Sequence, residues 1–347
     1  MSTRIWVAAN QGEVGGGEVM LHHIATALRE LGRDVAVVAP AVPAETADRL
    51  AADGFTVERV GGPGRAGYMR ALRRWHRAHR DEVVWCNGLL PATALAGRGR
   101  RIVHLHQVPE KPQLRAFSAV ARPGALAVLA PSRFAAERIT GARVLPNWVP
   151  APTDTPDAPR SRPSVPERPL QVGFLGRLSE DKGVLTLLEA AARLDQETPG
   201  AFRFLIAGES RFVPAPEQAR IGEALARAGG AVELLGWQDT TAFLSRVDLL
   251  VVPSQWAEVF GLVSAEAMAA GVPVVVSDAG ALPEVVGPDH PLTFVQRDVA
   301  GLVAALRRAA EVDRPALARA QHERWRERFS PEAGRAAVAV LLEDLHI

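Results

Sequence analysis

Short, almost purely apolar runs recur along this chain, and between them the apolar residues fall at helical spacing. RIWVAA (4–9), DVAVVAP (34–40), FTVERV (55–60), EVVWCN (82–87), RIVHLHQ (101–107), ALAVLAPS (125–132) and RVLPN (143–147) read as strands. After the first, Met20, Ile24, Leu28 and Leu31 mark a helix that Gly32 ends. Residues 68–80 read as another helix. Strands alternating with helices argue for a parallel sheet covered on both faces.

The pattern breaks once. Residues 149–169, VPAPTDTPDAPRSRPSVPERP, hold seven prolines. Proline lacks the backbone N–H and restricts its predecessor, so this stretch reads as an extended linker between domains. The rhythm then restarts with LQVGFLGRL (170–178), the helix GVLTLLEAAARL (183–194), FRFLIAGES (202–210), AVELLGW (231–237), DLLVVPS (248–254), GVPVVVSD (271–278) and HPLTFV (290–295). Their near-continuous Val, Leu and Ile content suits strands buried on both faces. The expected architecture is α/β, two Rossmann-like doubly wound domains facing a central cleft.

Composition narrows the partners. The chain has 347 residues, 48% hydrophobic and 23% charged, with formal net charge +1. That balance gives no reason to expect nucleic acid. One cysteine, Cys86, allows neither an intrachain disulfide nor a cysteine-rich metal site. The first residues carry too short an apolar run for a signal peptide, and no window suits a membrane span, so a cytoplasmic protein is expected.

In doubly wound sheets, ligands bind beyond the carboxyl ends of the strands. The loop NQGEVGGGEV (10–19) follows the first strand and opens a helix, where amides attract anions. It fails the G-x-G-x-x-G spacing, because Gly12 leads to Val14 and Gly15 to Met20, and the second strand ends in Ala39 and Pro40 without an acid. A nicotinamide or flavin cofactor is therefore not expected. FLGRLSEDKG (174–183) sets Arg177 and Lys182 beyond a strand, where two cations suit a diphosphate. PSQWAEVFGLVSAEAMAAGVPVVVSD (253–278) carries Glu258 in a loop and Glu266 in the following helix, with the amides of Phe260, Gly261 and Leu262 at its start. Each glutamate alone reads as well as an acid favoured by the helix dipole or as a solvated one.

Together these segments resemble glycosyltransferase family 4, retaining enzymes of the GT-B fold. The stretch 258–277 is similar to that family's E-x7-E signature, and GRLSEDKG to its G-R-L-x-x-x-K-G segment. LIAGES, GGGE, RIVHLHQ, LAPSRFAAERI and VLPNWV match further landmarks, so the resemblance covers essentially the whole chain. It implies that Glu258 binds the donor sugar's hydroxyls and Glu266 the nucleotide ribose. It implies that Arg177 and Lys182 grip the diphosphate, with amides from Phe260, Gly261 and Leu262. Gly16 and Gly17 would approach from the other domain, His106 would be the active-site histidine, and the base would lie near Trp237. His106 is followed by Gln107 where the family commonly has aspartate, and Val259 stands where proline is frequent.

The implied activity is transfer of a sugar, with retention, from a UDP- or GDP-sugar to an acceptor hydroxyl on a small molecule, glycolipid or glycan. Alternatives are a sugar-nucleotide epimerase, a phosphorylase, or a non-catalytic sugar-nucleotide-binding protein. No D-x-D motif occurs, so no metal is expected. The expected domains are 1–149, completed by a C-terminal helix at 330–347, a linker at 150–169, and a donor domain at 170–329. RAGYMRALRRWHRAHR (65–80) has six arginines, no acid, and Tyr68, Leu72 and Trp75 at helical spacing. That stripe is read as packing on the domain. Peripheral contact with anionic lipid, or binding of an acidic acceptor, are further uses open to it.

Overall fold

The structure, a computed structural model, describes residues 4–152, 168–210 and 213–347. Most of the proline-rich segment expected as a linker, residues 153–167, lies outside the described residues. The chain divides into two compact units. Unit 1 is Met1–Trp148 with Pro331–Ile347, and unit 2 is Val149–Ser330.

Unit 1 holds the strands β1 (Ile5–Ala9), β2 (Val35–Pro40), β3 (Thr56–Val60), β4 (Val83–Asn87), β5 (Arg101–His104), β6 (Ala127–Ala130) and β7 (Ala142–Val144). They pair in parallel in the order β3-β2-β1-β4-β5-β6-β7. Its helices are α1 (Gly16–Glu30), α2 (Glu45–Ala52), α3 (Gly64–Trp75), α4 (Leu89–Ala94), α5 (Pro112–Ala121) and α6 (Arg133–Arg138). Every residue of β1 and β4 is buried, as apolar runs without alternation require.

Unit 2 holds β8 (Leu170–Leu175), β9 (Phe202–Ala207), β10 (Val232–Gly236), β11 (Leu249–Val252), β12 (Val274–Ser277) and β13 (Thr293–Phe294). The order is β10-β9-β8-β11-β12-β13, again parallel. Helices α7 (Val184–Glu197), α8 (Ala215–Ala228), α9 (Thr240–Leu244), α10 (Leu262–Ala269), α11 (Leu282–Val286), α12 (Val299–Glu311) and α13 (Arg314–Arg328) connect them. Two apolar clusters flank the sheet, one with Leu187, Leu188 and Phe204, the other with Phe243, Phe260 and Met268.

In each sheet the strand order reverses direction once, between β1 and β4 and between β8 and β11. At such a point neighbouring loops leave toward opposite faces and open a crevice at the strands' carboxyl ends. The last helix, α14 (Pro331–Asp344), belongs to unit 1 and packs on α1. A Cβ on Gly334 would lie 2.2 Å from the Trp148 ring, and Arg335 pairs with Glu30 at 2.7 Å.

Two sequence readings shift. The strand expected over 101–107 ends at His104, so His106 sits in the loop beyond it. The helix expected over 68–80 is Gly64–Trp75, followed by turns. Its stripe is packed inward. Leu72 is buried, the buried Tyr68 hydroxyl donates to the Ala9 carbonyl at 2.7 Å, and the Trp75 indole donates to Glu58 at 2.6 Å. His79 stacks on Trp75, with ring centroids 4.3 Å apart. No apolar face of this segment is left for lipid. The six arginines remain exposed on its outer side.

Candidate functional site

The reversal in unit 2 sets the loop after β8 beside the loop after β11. Gly183 ends the first and caps α7 with φ +76, and a Cβ there would lie 1.7 Å from the Pro253 carbonyl oxygen. Only glycine allows both the left-handed backbone and that contact. The Gln255 amide donates to the Asp181 carbonyl at 2.8 Å, which ties the loops again. Lys182 Nζ consequently reaches Glu258 Oε1 at 2.5 Å, across 76 residues of sequence. Ser254 Oγ donates to the same oxygen at 2.8 Å.

Glu258 has its backbone held as well. The Ala281 amide donates to its carbonyl at 2.7 Å, and a Cβ on Gly280 would lie 2.2 Å from that oxygen. Arg177 follows β8 and its guanidinium meets Asp181 at 2.5 Å, with a 3.2 Å bond to Ser179 Oγ. Glycines also gather the loops on the other side of β8. The Gly208 amide donates to the Gly236 carbonyl at 2.8 Å, and a Cβ on Gly208 would lie 1.8 Å from the Gly176 oxygen. Trp237 follows Gly236 and is 71% exposed, an aromatic face free to stack.

Gly261 caps α10 in a left-handed conformation, φ +92, directly ahead of Leu262. The Phe260 side chain is buried against Phe329, so its role here is packing, and only its amide can serve a ligand. Glu266 is the fifth residue of α10. Burial pushes its carboxyl up to about 7, and among the described residues no cation offsets that burial. The structure thus brings Lys182 and Glu258 into direct contact, holds Arg177 on the same loop as Lys182, and places Glu266 just over one turn into α10, with Glu258 in the loop ahead of it.

Unit 1 has its own cluster at the corresponding reversal. Asn10 Oδ1 accepts from the Leu90 amide at 3.0 Å, linking the loops after β1 and β4. Asn87 Nδ2 donates to the Gly17 carbonyl at 2.8 Å, which fixes its amide so that Oδ1 accepts from His106 Nε2 at 2.8 Å. Both ends of Asn87 are therefore engaged within the unit. His106 is assigned the Nε2–H tautomer, and its buried Nδ1 has no partner among the described residues. Burial lowers its pKa to about 4, so the ring is neutral at physiological pH. Gly17 lies beside that ring, with its Cβ position 3.7 Å from Cδ2, while Gly16 is exposed at the first position of α1. The His104 ring lies tilted against His106, centroids 4.2 Å apart, and is fully buried; among the described residues neither of its nitrogens is bonded and no cluster of three possible metal ligands occurs.

Two family descriptions match the chain in series. Glycosyltransferase Family 4 matches residues 14–151, and Glycosyl transferases group 1 matches residues 169–311. The chain belongs to glycosyltransferase family 4. Among curated relatives of this family 4 chain, a glycogen synthase of Mycobacterium tuberculosis is 36% identical over 181 residues, 52% of this chain and 42% of that protein. The lipopolysaccharide core mannosyltransferase of Rhizobium meliloti is 31% identical over 50% of this chain and 51% of its own length. The family 4 chain thus spans about half or less of the length of these relatives. Among solved structures, Anabaena HepE in complex with UDP and glucose superposes with TM-score 0.80 at 21% identity, covering 98% of this chain and 99% of that one. Sucrose-phosphate synthase of Thermosynechococcus elongatus gives 0.76 at 20% identity, covering 99% of each. These likenesses show that the family 4 chain has the GT-B fold.

Three residues at these loops were not read from the sequence. Asp181 lies four positions after Arg177, a spacing that offers a hint only if the loop turns like a helix. Ser254 is a small hydroxyl at a strand end, unremarked beside two glutamates. Glu18, in the first turn of α1, is 5% exposed with Oε1 unpartnered among the described residues and Gln11 Nε2 3.4 Å from Oε2. Its pKa is raised to about 7 by burial. Nothing in the sequence marked it, since an acid in the first turn of a helix is ordinarily a solvated residue favoured by the dipole.

Proposed function

We propose that this chain transfers a sugar, with retention of configuration, from a nucleoside-diphosphate sugar to an acceptor hydroxyl. The observation that carries the reading is the meeting of Lys182 and Glu258 at the strand reversal of unit 2, between Arg177 and the start of α10. A cationic pair and a helix start suit a diphosphate, and a carboxylate held beside them suits sugar hydroxyls. The match of residues 169–311 to Glycosyl transferases group 1 supports the assignment of donor binding to this unit. HepE, in complex with UDP-glucose, makes a UDP-sugar the first donor to try, ahead of a GDP-sugar.

In the reaction, the bond from the sugar's anomeric carbon to the diphosphate oxygen breaks, and a bond to the acceptor oxygen forms. The acceptor's proton leaves with the departing diphosphate. Negative charge grows on that diphosphate as the sugar becomes oxocarbenium-like. Lys182 and Arg177, with the amides of Phe260, Gly261 and Leu262, oppose the charge where a metal would otherwise stand. Glu258 orients the sugar and Glu266 accepts from the ribose hydroxyls. Trp237 offers its face to the base. Unit 1 contributes what its own geometry offers: the Gly16 and Gly17 amides at a helix start for an anion, and a neutral His106 for a hydroxyl. Contact of residues 65–80 with an anionic surface would be electrostatic alone, since its apolar stripe is packed away.

The test is thermal stability with UDP, GDP, ADP and their common sugars, since a ligand that binds only the folded state raises the melting temperature. One nucleotide should win clearly. No shift with any of them at saturation contradicts the donor site. Turnover that survives a chelator supports the metal-free chemistry, and turnover abolished by it refutes that part.

A further inference from the structure

We propose that Ser254 is a positioning residue whose hydroxyl anchors Glu258 through Oε1, so that Oε2 remains the sugar-reading atom while Lys182 turns to the diphosphate. The inference rests on the donor-site reading above and assigns a task that reading leaves open.

Two donors converge on one carboxylate oxygen, Lys182 Nζ at 2.5 Å and Ser254 Oγ at 2.8 Å. Among the described residues none bonds to Oε2. The two donors differ in freedom. Lys182 is a third exposed on a flexible stem, and its ammonium is a point charge that a diphosphate can draw away. Ser254 is 1% exposed and has no water to turn to. Its backbone is fixed, because Ser277 Oγ, itself fully buried, donates to the Ser254 carbonyl at 2.7 Å. Glu258 is fixed at the backbone by Ala281 and Gly280, yet among the described residues its carboxylate has only these two hydrogen bonds to set its direction. Once a donor's diphosphate takes Lys182, the serine is the contact that remains. A buried hydroxyl on a charged acceptor is a strong, directional bond.

Serine at this position therefore separates two recognitions that share one lysine. Lys182 reads the diphosphate, and Ser254 keeps Glu258 ready for the sugar attached to it. Replacing Ser254 should leave nucleoside diphosphate binding intact and weaken only the increment that the sugar supplies.

The experiment is calorimetric titration of wild type, Ser254→Ala, Glu258→Gln and the double variant with UDP and UDP-glucose, GDP and GDP-mannose, and ADP and ADP-glucose. With the pair that binds wild type, Ser254→Ala should raise Kd for the nucleotide sugar about tenfold and change Kd for the free diphosphate less than about twofold, the loss expected for one hydrogen bond to a charge. The double variant should lose little beyond Glu258→Gln, because the serine acts through that carboxylate. Equal weakening of both ligands, or no change in either, overturns the proposal. A melting temperature measured alongside shows whether Ser254→Ala is folded. If it is not, Ser254→Cys, which keeps a weak donor, should show the same selective loss, and a proportional loss on both ligands again overturns it. Wild type that binds none of the diphosphates overturns the donor-site reading, and this inference falls with it.

Discussion

Glu266 carries a proton over much of the neutral range, and its proposed partner requires it to give that proton up. Ribose hydroxyls donate to a carboxylate and so favour its charged form. With the unliganded carboxyl raised to about 7 by burial, nucleotide binding below that pH must release a proton. Affinity for the nucleoside diphosphate should rise from pH 6 to 8 and then level, and Glu266→Gln should flatten that slope in titrations at several pH values. The sign for stability is opposite. A raised carboxyl pKa means that the folded state holds the proton more tightly than the unfolded chain does. Relative to the unliganded wild type, Glu266→Gln should therefore gain melting temperature as pH rises from about 4.5 to 7, and removing Glu18, also raised to about 7, should act the same way, while buried histidines such as His23 and His106, lowered to about 4, tilt the overall profile in the opposite direction. His106 behaves differently. It is neutral above about 4, so protonation of this ring should add no acid limb to the rate between pH 5 and 7. Glu258→Gln keeps the shape and removes the charge. It should cut kcat/KM for the nucleotide sugar by roughly tenfold or more, as loss of a charged hydrogen bond to the sugar does, while the melting temperature changes little.

At the scale of elements, the loops matter more than the strands they leave. Gly183→Ala would force an alanine into φ +76 against the Pro253 carbonyl. It should cost about 1–3 kcal/mol for the backbone alone, and turnover should fall with it because Lys182 precedes that turn. Denaturant unfolding and a rate assay on one preparation would show both. The strands themselves were plain in the sequence, since an all-apolar run buried on two faces leaves little else to build. The short helices were not: α4 and α6 have six residues each, too few turns for a period to show. The site divides in the same way. Lys182 and Glu258 could be named from their motifs, but their contact depends on two loops meeting at a strand reversal, which pairing order decides. Ser254 and Asp181 were hidden because a hydroxyl or an acid near a strand end has many uses, and only three-dimensional neighbours choose among them. The stripe of Tyr68, Leu72 and Trp75 showed correctly as one face of a helix. Whether that face met lipid or protein depended on Ala9 and Glu58, residues far away in sequence that receive its hydroxyl and indole hydrogens.

For the whole molecule, the division into units crosses the order of the chain. Unit 1 takes its main body from the first 148 residues and its last helix from residues beyond 330. A chain cut after Ser330 should retain a folded unit 2 but expose unit 1 along α1, where Gly334 and Arg335 now meet Trp148 and Glu30. Limited proteolysis should then cut first within residues 4–148, and the intact chain should resist at the same sites. Unit 2 is thus a passenger inserted between two pieces of its neighbour, and biosynthesis inherits that arrangement. A ribosome completes everything unit 2 needs while unit 1 still lacks a wall. The first unit to be translated is the last to be finished, and until the final helix leaves the exit tunnel the nascent protein presents the open side of α1 to the chaperones around it.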